Sequence, residues 1–258
     1  MPDVEGTIVG MRKLFSKVIA TTKRPSRILK LLDHDALRGF AAARTKRNLH
    51  HYKRRMNKRI GFNWSKEVGG RIHRQYADYD TYLAHQRAKL LNLDLSEYNV
   101  KFRAALRDRL PDCSGLSVIC LAAREGAECL AFRDRGAFAI GIDLNPGPDN
   151  AHVLPGDFHA LQFADECIDR VFTNSLDHAF DLEAVCAEIQ RVLKPGGVFI
   201  AEVGCGSDEG VKPRQYEAHW WARADDLIVA ISKCGFKVAS KRSIDVPWRG
   251  VQVSFGRA

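Results

Sequence analysis

Polar side chains follow several strand-like segments in the second half of the sequence. Asp143 ends the apolar run FAIGID, Asp157 and Phe158 follow HVLPG, and a polar cluster that starts at Asn174 follows IDRVFT. A carboxylate at the end of a strand can accept hydrogen bonds from sugar hydroxyls or from an amino group. Because the carboxyl ends of parallel strands meet at one edge of a sheet, we expect these side chains to line a single cleft.

The loop after the first of these strands contains one glycine. SVICL is followed by the small-residue stretch 122–126, AAREG, and then by a helix-like segment. Small residues let the backbone approach a ligand, but pyrophosphate binding depends on the G-x-G-x-x-G pattern and its tight turn. The loop therefore favours a ligand without phosphates and disfavours NAD-dependent oxidation. Asp143 lies 22 positions beyond Leu121, about the separation at which an acid meets ribose hydroxyls.

Strand-like and helix-like segments alternate from residue 113 to the end of the chain. The strand-like runs are LSVICLA, FAIGIDL, HVLPGDF, IDRVFTNS, VFIAEV, KVASKRSI and VQVSFGR, and the helix-like runs begin at GAECLAF, DLEAVCAEIQ and RADDLIVAIS. This alternation predicts an α/β fold with a mostly parallel sheet and helices on both faces. The last strand is the one that can pair antiparallel.

These segments, in this order, resemble class I S-adenosylmethionine-dependent methyltransferases with a diverged first motif. The resemblance rests on VICLAAREGAE, GIDL, GDFHALQFADECIDRVFTNSLDH and EIQRVLKPGGVFIAEV, and it covers about residues 113–242. It implies a Rossmann-like sheet of seven strands, S-adenosyl-L-methionine as the cofactor, and methyl transfer as the activity.

The resemblance also implies positions that bind the cofactor. They are Leu121, Ala122, Ala123, Arg124 and Gly126 at the methionine part, Asp143 at the ribose, Leu144, Asp157 and Phe158 at the adenine, and Asn174 after the fourth strand. Arg124 stands where the family usually has a glycine-rich loop. It can pair with the carboxylate of the cofactor, or it can form an outward ion pair with Glu128.

His178 and Asp177 are the candidates for a general base, which methyl transfer needs if the acceptor is a hydroxyl. The alternative for His178 is a helix-start residue packed over the adenosine. We expect O- or N-methylation of a small-molecule or glycan acceptor. Two alternatives stay open: an RNA methyltransferase, and a non-catalytic binding module that has kept the fold.

The charge of the chain is unevenly distributed. Residues 1–112 contain 25 Lys+Arg and 11 Asp+Glu, whereas residues 113–258 contain 15 and 20. We therefore predict a basic helical extension or lid over 1–112 and a methyltransferase domain over 113–258. The densest basic stretch, 44–59, can meet nucleic acid or another anionic surface, or it can be a solvated helical face. Tyr76, Tyr79, Tyr82, His85 and Gln86 can face the cleft or form a packing stripe.

The seven cysteines are scattered and none forms a Cys-x-x-Cys pair. This spacing disfavours a zinc site or a disulfide framework and predicts reduced thiols and a cytoplasmic location. The sequence contains no apolar run of about 18 residues, so we expect no transmembrane segment. A membrane-surface helix over residues 8–20 is the weaker alternative to a helix packed on its own domain.

Overall fold

The computed structural model describes residues 63–89, 95–147 and 149–257. The basic stretch 44–59 and the amphipathic stretch 8–20 lie outside the described residues, so the predictions made for them stay predictions. In the part of the chain that is described, no helix is both long enough and apolar enough to cross a membrane.

Strands and helices alternate along the described chain as the sequence predicts. In chain order they are β1 (Arg71–His73), α1 (Tyr79–Lys89), α2 (Ser96–Arg109), β2 (Ser117–Leu121), α3 (Ala127–Arg133), β3 (Phe138–Asp143), β4 (Val153–Pro155), β5 (Ile168–Thr173), α4 (Leu182–Val192), β6 (Leu193–Gly204), β7 (His219–Trp221), α5 (Ala224–Lys233), β8 (Phe236–Ile244) and β9 (Gly250–Arg257). Short 3₁₀ turns cover Leu176–His178 and Ser207–Glu209.

Seven strands of the described residues form one sheet in the order β4–β3–β2–β5–β6–β9–β8. Strands β2 to β6 pair in parallel, whereas β9 pairs antiparallel with both β6 and β8. This arrangement confirms the Rossmann-like, mostly parallel sheet. The chain runs outward from β2 through β3 to β4 and then resumes at β5 on the other side of β2. Open α/β sheets bind ligands beyond the carboxyl ends of the strands at such a switch point.

Helices cover both faces of the sheet. On one face, α4 and α5 bury Leu182, Ile189, Leu227 and Ile231 against the strands, and on the other face α2 and α3 bury a second apolar cluster. Two features of its sequence explain why α4 is a helix. Its apolar residues recur at helical spacing, and at its start the side chain of Asp181 accepts the backbone N–H of Ala184.

Helix α2, from the basic part of the sequence, packs directly on the sheet. Phe102 and Leu106 are fully buried, and the guanidinium of Arg109 pairs with the buried carboxylate of Glu202 on β6 at 2.9 Å. A salt bridge this well buried fixes the helix position because separating the ions would leave both charges unpaired. The domain boundary predicted at residue 112 stays a prediction.

A two-stranded antiparallel ribbon of β1 and β7 lies outside the main sheet. The rings of His73 and His219 stack across it at 4.4 Å. This ribbon is not predicted from the sequence, because each strand has only three residues and their partners lie far apart in the chain. All seven cysteines are free thiols, and in the described residues no group of three or more His, Cys, Asp or Glu could hold a metal.

Candidate functional site

The loop between β2 and α3 adopts backbone conformations that normally favour glycine. Ala122, Arg124 and Gly126 have φ values of 54°, 49° and 89°. A side chain in this left-handed region costs roughly 1–2 kcal/mol per residue. Such strain persists only where surrounding contacts impose it, and it is frequent at functional sites. The loop thus follows a tight turn even though only one of these three positions is glycine.

Asp143, at the carboxyl end of β3, holds this turn in place. Its Oδ2 accepts the backbone N–H of Arg124 at 2.9 Å, and its Oδ1 accepts the backbone N–H of Asn145 at 2.7 Å. The residue is only 8 % exposed. Hydrogen bonds to an ionised carboxylate are the stronger kind. Asp143 therefore joins the loops that follow β2 and β3 at the edge where a ligand is expected.

A cavity opens at this edge of the sheet. It is lined by Tyr82, Gln86, Lys89, Ala122, Arg124, Ile142, Asp143, Leu144, Asn145, Gly156, Phe158, Ser175 and His178. Its walls differ in chemistry: Ile142, Leu144 and Phe158 are apolar, whereas the rest of the lining is largely polar or charged. This pattern suits a ligand with one flat apolar part and one charged part.

The structure brings half of the predicted site residues into the cavity lining. Those that line it are Ala122, Arg124, Asp143, Leu144, Phe158 and His178. Those that lie near it without lining it are Leu121, Ala123, Gly126, Asp157, Asn174 and Asp177. The binding and catalytic roles assigned to these residues stay predictions.

Asp157 is engaged by its own protein neighbours. Its Oδ2 accepts the hydroxyl of Tyr79, and its Oδ1 accepts the backbone N–H of His159 at 2.9 Å and lies 2.8 Å from the ring Nδ1 of the same residue. These contacts hold the pKa of Asp157 below its usual value, even though burial opposes the shift. An adenine amino group could reach this carboxylate only in place of one of these partners.

Asn174 precedes the lining residue Ser175 and contacts another buried acid. Its side-chain amide donates to Glu128 Oε1 at 3.3 Å, and its carbonyl oxygen accepts the hydroxyl of Ser175 at 2.8 Å. Burial raises the pKa of Glu128 to about 7. Arg124 forms no ion pair with Glu128 among the described residues. Its guanidinium lies 5.9 Å from the centre of the Tyr98 ring instead, within range of a cation–π contact.

Helix α1 contributes three lining residues: Tyr82, Gln86 and Lys89. Their spacing of i, i+4 and i+7 places them on one face of the helix. The sequence leaves open whether Tyr82 and Gln86 face the cleft, and in the structure both line it. Lys89 is not predicted, although the same spacing, continued by one further turn, leads to it. The neighbouring Tyr76 and Tyr79 pack with Phe180, which matches the alternative of an aromatic stripe.

His178 is buried and held by two contacts. Its Nδ1 lies 3.1 Å from the carbonyl oxygen of Tyr216, which places the ring proton on Nδ1. Its Nε2 therefore carries a lone pair, and the ammonium of Lys89 donates to it. Burial and the nearby cations Lys89 and Arg124 hold the pKa of His178 well below its usual value. The imidazole is thus neutral, and its basic nitrogen is engaged by Lys89.

Two further groups beside His178 have shifted pKa values. Asp177 Oδ2 lies 3.4 Å from His178 Nε2, and burial raises the pKa of Asp177 to about 6. Burial, together with the charge of Arg124, lowers the pKa of Lys89 to about 8. Both shifts bring the pKa closer to neutral pH, because burial disfavours the charged form of each group. Shifted pKa values of this kind cluster at functional sites.

The free space in the cavity is narrow. The cavity volume is about 50 Å³, far below the roughly 300–1,000 Å³ of small-molecule sites. A ligand as large as a nucleoside enters only if side chains move aside, and the long, flexible side chains of the lining are Gln86, Lys89 and Arg124.

Comparison with protein families identifies the central part of this sheet. Residues 116–201 match a family model described as a methyltransferase domain. Curated relatives include malonyl-[acyl-carrier protein] O-methyltransferase 1 of Coxiella burnetii, 33% identical over 91 residues, which are 33% of this chain and 32% of the relative. Demethylmenaquinone methyltransferase of Corynebacterium kroppenstedtii is 34% identical over 103 residues, 37% of this chain and 45% of the relative. This chain thus spans less than half of the length of the curated relatives that it matches.

Solved structures have the same fold. The 1,6-didemethyltoxoflavin-N1-methyltransferase of Burkholderia thailandensis superposes with a TM-score of 0.57 at 14% identity and covers 76% of this chain and 99% of its own. A chain from the complex between the Haloferax volcanii Trm112 methyltransferase activator and its methyltransferase gives a TM-score of 0.50 at 21% identity, over 71% and 99% of the two chains. These matches concern the fold. The family match over residues 116–201 shows a methyltransferase domain in the central part of the sheet.

Proposed function

We propose that this protein transfers a methyl group from S-adenosylmethionine to a small-molecule or glycan acceptor, by O- or N-methylation. The observation that carries the proposal is the cavity beyond the carboxyl ends of β2 and β3. Asp143 holds the tight turn at this cavity, and the lining has apolar residues on one wall and the cations Lys89 and Arg124 elsewhere. Its position at the switch point of the sheet is the one that the fold favours for a ligand.

The lining residues fit the chemistry of the cofactor. Asp143 would accept ribose hydroxyls, because each oxygen accepts one backbone N–H and retains a further lone pair. Leu144 and Phe158 would contact the adenine ring. The turn at Ala122 would lie along the methionine part, and Arg124 would pair with its carboxylate after leaving Tyr98. A sulfonium cofactor supplies a methyl group that is already strongly electrophilic.

The role of the protein is then mainly to position the acceptor. A hydroxyl or amine acceptor also needs a group that accepts its proton. His178 Nε2 has the required lone pair but currently accepts from Lys89, so it becomes a base only when Lys89 turns away. Asp177, half-buried beside it, is the second candidate.

The names of the curated relatives support methyl transfer without selecting an acceptor. They include a malonyl-[acyl-carrier protein] O-methyltransferase, a sterol 24-C-methyltransferase of Schizosaccharomyces pombe and a demethylmenaquinone methyltransferase. These proteins act on different acceptors at different atoms. For this chain they support a methyltransferase and leave the acceptor to experiment.

The test is calorimetric titration of the full-length protein with S-adenosylmethionine and with S-adenosylhomocysteine. We expect saturable binding of both at one site. A folded protein that takes up neither would support the alternative of a non-catalytic module. The RNA alternative depends on residues 44–59. It predicts RNA retention that falls steeply with salt and is lost on deletion of that stretch.

A further inference from the structure

The ammonium of Lys89 has few partners in the part of the chain that the structure describes. It lies at the end of α1, half-buried, and lines the cavity. Its hydrogen-bond acceptor among the described residues is His178 Nε2. An ammonium has three N–H donors, and desolvated donors normally find acceptors. Lys89 therefore has donors left for a ligand in the cavity.

The acids near Lys89 do not neutralise it by direct contact. No carboxylate in the described part of the chain lies within ion-pair distance of its Nζ. Asp143, Asp177 and Glu217 are close enough to favour its charged form, whereas Arg124 and burial oppose that form. A partly desolvated charge without a paired counter-ion carries part of the cost of burial, and a bound anion would offset it.

The charges of the lining are unbalanced even with the cofactor in place. Among the lining residues the cations are Lys89 and Arg124, and the single acid is Asp143, whose oxygens already accept two backbone N–H groups. The cofactor brings one carboxylate, which pairs with Arg124, but also an ammonium and a sulfonium. Among the described lining residues and in the cofactor, no anion is therefore left to contact Lys89 directly.

We infer that Lys89 recognises a carboxylate of the methyl acceptor, so that the acceptor of this enzyme is an acid. This inference rests on the proposed function, since it assigns the acceptor end of the same cavity. His178 then acts as a positioning residue. Its proton on Nδ1 is fixed by Tyr216, and its Nε2 orients the ammonium of Lys89 toward the ligand.

The test uses small acids as probes: acetate, benzoate and malonate, each compared with its neutral amide. Ligand-observed NMR titrations are run on the full-length protein with and without saturating S-adenosylhomocysteine. We expect at least one acid to bind, at least tenfold more tightly than its amide. In Lys89→Met this binding falls at least tenfold, whereas Lys89→Arg, which keeps the charge, stays within about threefold of wild type.

Arg87 provides the matched control, because it is an exposed cation on the same helix. Arg87→Met should leave the affinity for the acid unchanged, and all three variants should bind S-adenosylhomocysteine within about twofold of wild type. The inference is wrong if amides bind as tightly as acids or if no acid binds. It is also wrong if Lys89→Met lowers the affinity for S-adenosylhomocysteine tenfold and leaves the affinity for the acid unchanged, because Lys89 would then bind the cofactor.

The two proposals fail in different ways. If wild-type protein binds no S-adenosylhomocysteine, the proposed function fails, and the titrations without it still decide whether Lys89 binds acids. If S-adenosylhomocysteine binds and the acids do not, only the inference about the acceptor fails.

Discussion

The substitution Asp143→Asn tests two roles of this carboxylate: stabilising the loops after β2 and β3, and accepting the ribose hydroxyls of the cofactor. In wild type, Oδ2 accepts the N–H of Arg124 and Oδ1 accepts the N–H of Asn145. An asparagine retains one acceptor oxygen and turns an NH₂ group toward the other N–H. The variant therefore loses one hydrogen bond to a charged group, which stabilises a protein by about 1.5–3 kcal/mol.

We expect the free energy of unfolding to fall by about 2 kcal/mol, which for a domain of this size lowers Tm by roughly 4–8 °C. Because the amide is also a poorer acceptor for ribose hydroxyls, the Kd for S-adenosylhomocysteine should rise about 5- to 150-fold, equivalent to about 1–3 kcal/mol. Urea denaturation measures the first effect, and calorimetric titration below the lowered Tm measures the second.

Asp169→Asn is the matched control. Asp169 accepts the backbone N–H of Ser117 at 2.9 Å and the ammonium of Lys194 at 2.9 Å, but it lies at the amino end of β5, on the edge opposite the cavity. It should lose comparable stability and keep its affinity for S-adenosylhomocysteine. Equal loss of affinity in both variants would show that Asp143 acts only through stability. Unchanged affinity in Asp143→Asn would remove it from the site.

Three further predictions concern the surroundings of the cavity. Arg124→Met should lower the affinity for S-adenosylhomocysteine about tenfold and leave the affinity for 5′-methylthioadenosine, which lacks the carboxylate, unchanged in calorimetry. Equal losses of affinity for both ligands would refute the pairing of Arg124 with the carboxylate. Gly141→Ala should lower stability by about 1–3 kcal/mol, because a Cβ there would lie 2.8 Å from Val153 Cγ2, whereas Gly204→Ala, whose nearest neighbour is 3.9 Å away, should be tolerated in the same denaturation assay. Burial raises the pKa of Glu128 to about 7, so the native state binds the extra proton and the contribution of this residue to stability should fall as pH rises from about 4.5 to 7. The stability of Glu128→Gln relative to wild type should therefore rise over this range, by up to about 3 kcal/mol; a variant with the same pH profile as wild type would contradict the assignment.

The sequence by itself determined the elements and the edge of the sheet at which the site lies. Apolar runs of strand length alternate with helical periods, and this pattern depends only on near neighbours in the chain. The polar residue that ends β3 and those that follow β5 could be placed at the carboxyl edge for the same reason. Asp143 and His178 were found in this way, as were both faces of the sheet and the antiparallel last strand.

Only the tertiary structure decided which polar groups have partners. Asp157 and Asn174 are well placed in the sequence, yet each is engaged by a protein neighbour, Asp157 by Tyr79 from 78 positions away and Asn174 by Glu128 from 46 positions away. Lys89 reaches His178 across 89 positions. Such contacts depend on how helices dock on the sheet, and docking is set by long-range packing that leaves no periodic signal in the chain. Six of the twelve residues predicted from the sequence thus line the cavity, and the fold decided which polar groups of the described residues find protein partners there.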